Sequence, residues 1–206
     1  MKLTVVFPTL LSIILFSALT IVHAQNRIEL IPEESQLWIE GSSTVNDILC
    51  KAGKLIAYAN IRSTELDNPS ELIEENNGNV KLNVPVYEFD CGRRQMNRDF
   101  FRALRAEHYP TIDFEYQSAR LITNLDPQCA PFQLDVEGIL TVAGVGRQVN
   151  ILVDIEPCEE NKLRLKGSKV INMLDYGIEP PTALFGLIRA NEKLEVFFSL
   201  TAKQKP

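Results

Sequence analysis

An all-β fold, an antiparallel sheet closed into a barrel of about eight strands with one short amphipathic helix, is the class this sequence predicts. Three observations carry that expectation. Apolar and polar residues alternate through most of the chain, the connections are short and rich in turn formers, and no strand–helix–strand rhythm recurs. The period changes once, between Cys91 and Phe114. A β-sandwich is the alternative that this pattern leaves open.

The first 24 residues hold Lys2, an apolar run over residues 3–22 and Val22-His23-Ala24, small or aliphatic residues that suit a signal peptidase. Residues 1–24 are expected to be a cleaved secretory signal, and Gln25 after the cut, in place of a cysteine, argues against a lipid anchor. Residues 25–206 then form one domain. From Ser35, Leu37 and Ile39 alternate with Trp38 and Glu40, a bend is expected at Gly41, and a second extended segment runs to Leu49 and Cys50. Leu55, Ala57, Ala59 and Ile61 give a third strand. Residues 66–79 are acidic and read as an exposed excursion with a turn or two of helix, started by Pro69 and stopped by Gly78. Val80, Leu82, Val84 and Val86 make the next strand, with Pro85 favouring an edge or bulge.

Met96, Phe100 and Leu104 then recur every four residues with Phe101 beside them, while Arg94, Arg98, Arg102 and Arg105 fall on another face. This is the helix, and Pro110 ends it by removing a backbone donor and extending Tyr109. Ile112, Phe114 and Tyr116 alternate as a strand. Phe132, Leu134, Val136, Leu140 and Val142 face Val149, Ile151, Val153 and Ile155 as a hairpin joined through residues 143–146. Residues 163–176 are expected to be extended, with a turn or bulge near Gly167. A proline- and glycine-containing loop, DYGIEPPTALFG, leads to a last strand carrying Leu194, Val196, Phe198 and Leu200.

A formal charge of −6 disfavours nucleic acid as a partner. All four cysteines follow the signal, so an oxidising compartment makes two disulfides the default. Cys129 and Cys158 lie symmetrically about the Ala143–Gly144 junction of the hairpin, which pairs them and leaves Cys50 with Cys91. Zinc is set aside, because no CxxC occurs and the exported part holds a single histidine, His108.

Catalysis finds little support. Ser42, Ser43 and Thr44 lack a GxSxG elbow, and His108 sits at a helix-to-strand junction where a structural role is the simpler reading. Asp113, Glu115, Asp135 and Glu137 occupy the polar phase of strands and read as a solvated face, although two of them in a cleft would suit a glycosidase. The cluster Arg93, Arg94, Arg98, Arg102 and Arg105 reads first as a solubilising helix face and second as a phosphate or lipid-headgroup contact, with Arg98 and Arg102 the candidates. Met96, Phe100, Phe101, Leu104, Tyr109, Phe114, Phe185 and Phe197 are candidates for a ligand wall as well as for ordinary core. Phe197 stands out because it lies opposite its strand's apolar row.

The order and spacing of five segments, GSSTVND from Gly41, VPVYEFDCG continuing to Met96-Asn97, LRAEHYPTIDF from Leu104, GILTVAGVGR from Gly138 and DYGIEPPTALFG from Asp175, resemble the YceI-like family over about residues 37–201. That resemblance implies a lipocalin-like barrel of the periplasmic or secreted polyisoprenoid-binding kind, whose apolar interior holds an isoprenoid lipid or quinone without catalysis and without another cofactor. Transport or sequestration of such a lipid is the expected function, with transient membrane contact and an unidentified protein partner. An exported enzyme acting on a small hydrophobic or sugar substrate, or an envelope stress protein with a filled barrel, are the competing expectations. N-terminal sequencing of the exported protein should begin at Gln25; a product retaining Met1 and fractionating with membranes would make residues 3–22 an anchor.

Overall fold

The structure, a computed structural model, describes residues 27–61, 78–122, 131–159, 162–183, 185 and 187–205. The signal segment, most of the acidic excursion and Cys129 lie outside these residues, as do the side chains of Ala57, Ala59 and Cys158. Nine strands of six residues or more build the barrel: β2 (Gln36–Ser42), β3 (Asp47–Ala52), β4 (Ile56–Ile61), β5 (Gly78–Pro85), β7 (Thr111–Leu121), β8 (Phe132–Val142), β9 (Val145–Glu159), β10 (Lys162–Asn172) and β13 (Lys193–Lys205). Short pieces complete it, namely β1 (Arg27–Leu30), β6 (Phe89–Asp90) and the small hairpin of β11 (Thr182–Ala183) and β12 (Ile188–Arg189). The antiparallel order is β4-β5-β7-β8-β9-β10-β13-β2-β3-β6, with β1 also on β13. β1 lies alongside β4, so the sheet nearly closes on itself.

Strand β13 pairs with β10 along one edge and with both β1 and β2 along the other. Its second half pairs with β1 (Leu30 opposite Ala202) and its first half with β2 (Phe198 opposite Leu37). A 3-10 turn at Pro32–Glu34 moves the chain from one to the other. Thr201 is fully buried there, yet its hydroxyl donates to the Glu34 carbonyl at 3.1 Å and its amide donates to Ser35 Oγ at 3.0 Å. A buried polar group paired in this way avoids the cost of about 1–3 kcal/mol that an orphaned one carries.

The β8–β9 hairpin turns on two residues, Ala143 (φ 50°) and Gly144 (φ 81°). Both in the left-handed region is the type I′ turn that matches the twist of the strands it joins. Register runs without interruption from Val142 opposite Val145 to Phe132 opposite Ile155. Between β9 and β10 the ladder reaches Gly167 opposite Val153 and no further, although both strands continue. Lys169 bridges the gap, donating from Nζ to the Asn150 carbonyl at 2.8 Å. Gly167 therefore marks where β10 leaves β9. The extended segment expected to reach Tyr176 stops at Asn172, whose side chain accepts from the Leu174 amide and starts a 3-10 turn over Met173–Tyr176. Gly177, at φ 65°, closes that turn in a conformation suited to glycine.

The helix α1 (Arg94–Ala103) crosses one end of the barrel, fixed at both of its own ends. At its start Cys91 is disulfide-bonded to Cys50 of β3, both nearly buried. The Asn97 side chain accepts from the Cys91 amide at 2.7 Å and donates to Asp90. The Asn97 amide and the Gly92 N–H hold the Asp90 carboxyl below its ordinary pKa. At the other end Arg105 donates to the Ala143 carbonyl at 2.7 Å, and its guanidinium lies 5.1 Å from the Tyr109 ring. That ring packs on Gly144, where a Cβ would come within 2.2 Å of it. The helix thus bridges β3 and the β8–β9 turn.

Non-reducing peptide mapping should recover Cys50 linked to Cys91 and, from the hairpin register, Cys129 linked to Cys158. Loss of the first bridge through the pair Cys50→Ala, Cys91→Ala should lower stability by about 2–4 kcal/mol, since it closes a loop of 41 residues.

Candidate functional site

The inward rows of the strands enclose a cavity of about 370 Å³, a volume within the range of small-molecule sites. Leu37 and Ile39 of β2, Leu82 and Val84 of β5, and Ile112 and Phe114 of β7 form part of its wall. Leu134 and Val136 of β8, Ile151 and Val153 of β9, Leu163 and Leu165 of β10, and Val196 and Phe198 of β13 continue it. These are the residues that alternation marks as core. In a hollow barrel the core row and the cavity wall are the same row.

Space is kept by glycine. A Cβ at Gly138 would lie 2.5 Å from the Phe114 ring, and one at Gly167 would lie 2.6 Å from that of Phe198. Each ring leans onto the neighbouring strand's bare backbone, Gly167 being the register partner of Phe198. Rings laid over glycine line the lumen instead of filling it.

Helix α1 supplies the roof through Phe100, Ala103 and Leu104, all in the cavity wall. Phe100 also packs on Phe89 with ring centroids 5.2 Å apart, and Phe101 meets Tyr87 edge-on at 5.0 Å. Of the eight candidate wall residues, Phe100, Leu104 and Phe114 meet at the cavity. Met96 and Phe101 pack beside it, against the cluster around Leu37, Cys50 and Phe89. Tyr109 is the clamp on the β8–β9 turn. Phe185 is fully exposed, on a loop whose neighbour Leu187 is also exposed. Phe197 faces outward and stacks on Trp38 at 5.3 Å with planes 9° apart. Lying opposite the apolar row places a residue outside the barrel, which is why the inward neighbour Phe198 takes the wall.

Arg98 and Arg102 face solvent. Arg98 donates to Gln95, and Arg102 pairs with Asp99 at 3.2 Å, so each is engaged on its own helix and neither lines the cavity. The strand carboxylates lie outside as well. Asp113 accepts from Asn83 and Thr111, Glu115 pairs with Lys81, and Glu137 accepts from Ser118 and Gln148. Asp135 accepts from Arg120 at 3.0 Å and Asn150 at 3.1 Å, and these bonds hold it below the ordinary carboxylate range. His108 is exposed, and no cluster of His, Cys, Asp or Glu among the described residues is arranged to hold a metal.

Four residues of the wall are polar: Lys81, Lys169, Tyr116 and Tyr176. Both lysine ammonium groups are committed to protein acceptors. Burial raises the pKa of Tyr116, and burial aided by the Asp175 carboxylate raises that of Tyr176, with Arg147 opposing. Sequence reading placed Tyr176 where an extended segment runs into a loop and Ile178 within that loop, yet both are buried and both line the cavity. Their signal was the Asn172 cap and Gly177, which together fold a 3-10 turn back onto the barrel end.

A family model described as the YceI-like domain matches residues 51–202. No curated protein matches the chain. Among solved structures, Burkholderia cenocepacia BcnA is similar at TM-score 0.65 and 15 % identity, over 84 % of this chain and 99 % of that one. A polyisoprenoid binding domain from Saccharophagus degradans, implicated in plant cell wall breakdown, is similar at 0.62 and 12 % identity, over 87 % and 99 %. A Campylobacter jejuni YCEI protein reaches 0.57 at 13 % identity, over 76 % and 85 %. At such identities the likeness is one of fold, and the family model, spanning most of the length, is what places the sequence. The chain belongs to the YceI-like domain family.

Proposed function

We propose that this protein binds an isoprenoid lipid in its barrel interior and carries or sequesters it without chemical change, outside the cytoplasm. The observation that carries the reading is the cavity itself, walled by apolar side chains and roofed by α1. A long hydrocarbon gains about 25 cal/mol per Å² of apolar surface removed from water, so an interior of this kind favours a chain over a compact polar substrate. The strand carboxylates are spent on outer-face pairs, which leaves no acid and base facing each other across the lumen among the described residues. The S. degradans domain of similar fold is described as polyisoprenoid binding, which supports the same ligand class here. The Cys50–Cys91 bridge supports an oxidising compartment.

Native mass spectrometry after gentle purification should show a co-purifying lipid. Phe100→Ala should then weaken lipid retention roughly tenfold to a hundredfold, from a burial loss of about 1.5–3 kcal/mol. Val86→Ala is the matching control, because Val86 is 1 % exposed in the cluster beneath α1 yet does not line the cavity. Equal loss in both variants at matched folded fraction would remove Phe100 from the binding wall. Turnover of a substrate with no retained lipid would replace the proposal by an enzymatic one.

A further inference from the structure

Tyr176 is 3 % exposed, lines the cavity and makes no hydrogen bond through its hydroxyl among the described residues. No side-chain nitrogen or oxygen among them is both sealed off and unpartnered, so this hydroxyl keeps accessible surface. It is a donor without a protein acceptor on a residue that lines an apolar cavity, and a bond to a ligand oxygen would satisfy it. Its position is fixed. The turn carrying it is capped by Asn172 at one end and by Gly177 at the other, and Arg147 donates to the Asp175 carbonyl at 2.9 Å. The hydroxyl therefore belongs to a rigid part of the roofed end, in the same cluster as Leu104 of α1.

We propose that Tyr176 recognises a neutral hydrogen-bond acceptor, a carbonyl or ether oxygen, at the polar end of the bound lipid. The inference rests on the lipid-binding reading above. Neutrality follows from the surroundings. Lys81 is neutralised by Glu115 and Lys169, which keeps its charge, is tethered to the Asn150 carbonyl, so a ligand anion is disfavoured here by the burial around Tyr176 and by the neighbouring Asp175 carboxylate. The same burial and the same Asp175 charge that hold the phenol protonated act against a ligand anion beside it, and exposed Arg147 offsets them only in part.

Three probes of equal chain length test this on the full protein: a long-chain alkane, its methyl ketone and the corresponding fatty acid. Wild type should prefer ketone to alkane, and Tyr176→Phe, which keeps the ring and its burial, should reduce that preference roughly threefold to tenfold while leaving alkane binding unchanged. The carbonyl stretch of the bound ketone should lie lower in wild type than in the Phe variant. An unchanged ketone-to-alkane ratio would overturn the assignment with lipid binding intact. A loss seen in Tyr116→Phe instead would overturn it in favour of the other wall tyrosine. A Tyr176-dependent gain for the fatty acid equal to that for the ketone would overturn neutrality. Failure of wild type to take up any of the three would sink the lipid-binding reading, and the proposal with it.

Discussion

A ring on one strand resting on a glycine of the next is the contact that keeps this barrel hollow. Phe114 over Gly138 and Phe198 over Gly167 each require a missing Cβ within 3 Å of ring carbons. With a side chain at either glycine, both the ring and the neighbouring backbone carbonyl, of Glu115 or Leu152, would have to shift, and a barrel of this strand number has only enough interior for side chains or one slender ligand. The volume available to a ligand is thus set by two backbone positions that never touch it. Removing two side chains also removes packing surface, so the wall must recover stability elsewhere, through long ladders and the fixed roof.

The roof depends on restraints at each end of α1. A short helix is marginal by itself, and this one holds its place by covalent attachment to β3 and by the Arg105 and Tyr109 clamp on the β8–β9 turn. Between these anchors its apolar face closes the lumen and its basic face meets water. One element separates two environments, which explains why arginine and phenylalanine alternate so closely in this part of the sequence.

Period-two alternation made the strands legible because each inward row must be apolar whether it packs a core or lines a cavity. The helix was legible because its four-residue period breaks that alternation. Hairpin symmetry about Ala143–Gly144 is also seen in the register. Roles that depend on long-range geometry were not legible. Tyr109 could be known as a clamp only once Gly144 stood beside it, and Phe185 as a solvent-facing residue only once its loop was placed. Phe197 and Phe198 differ by one position, and choosing between them needs the knowledge that the lumen lies on the apolar side. Tyr176 was hidden because strand-like spacing continued into a turn that doubles back.

The parting of β9 and β10 beyond Gly167 and Val153 gives the wall an internal grain. Spreading β8 from β9, or β10 from β13, would break a row of backbone hydrogen bonds together. Along this line only the Lys169 bridge and the packing of inward residues such as Ile151 and Ile171 hold the two strands. Fluctuations of the native state concentrate where cooperative bonding is thinnest. This flank is therefore expected to open more readily than the laddered strands on either side of it, and on the lipid-binding reading proposed above a long chain would enter sideways between the staves without displacing the disulfide-anchored roof.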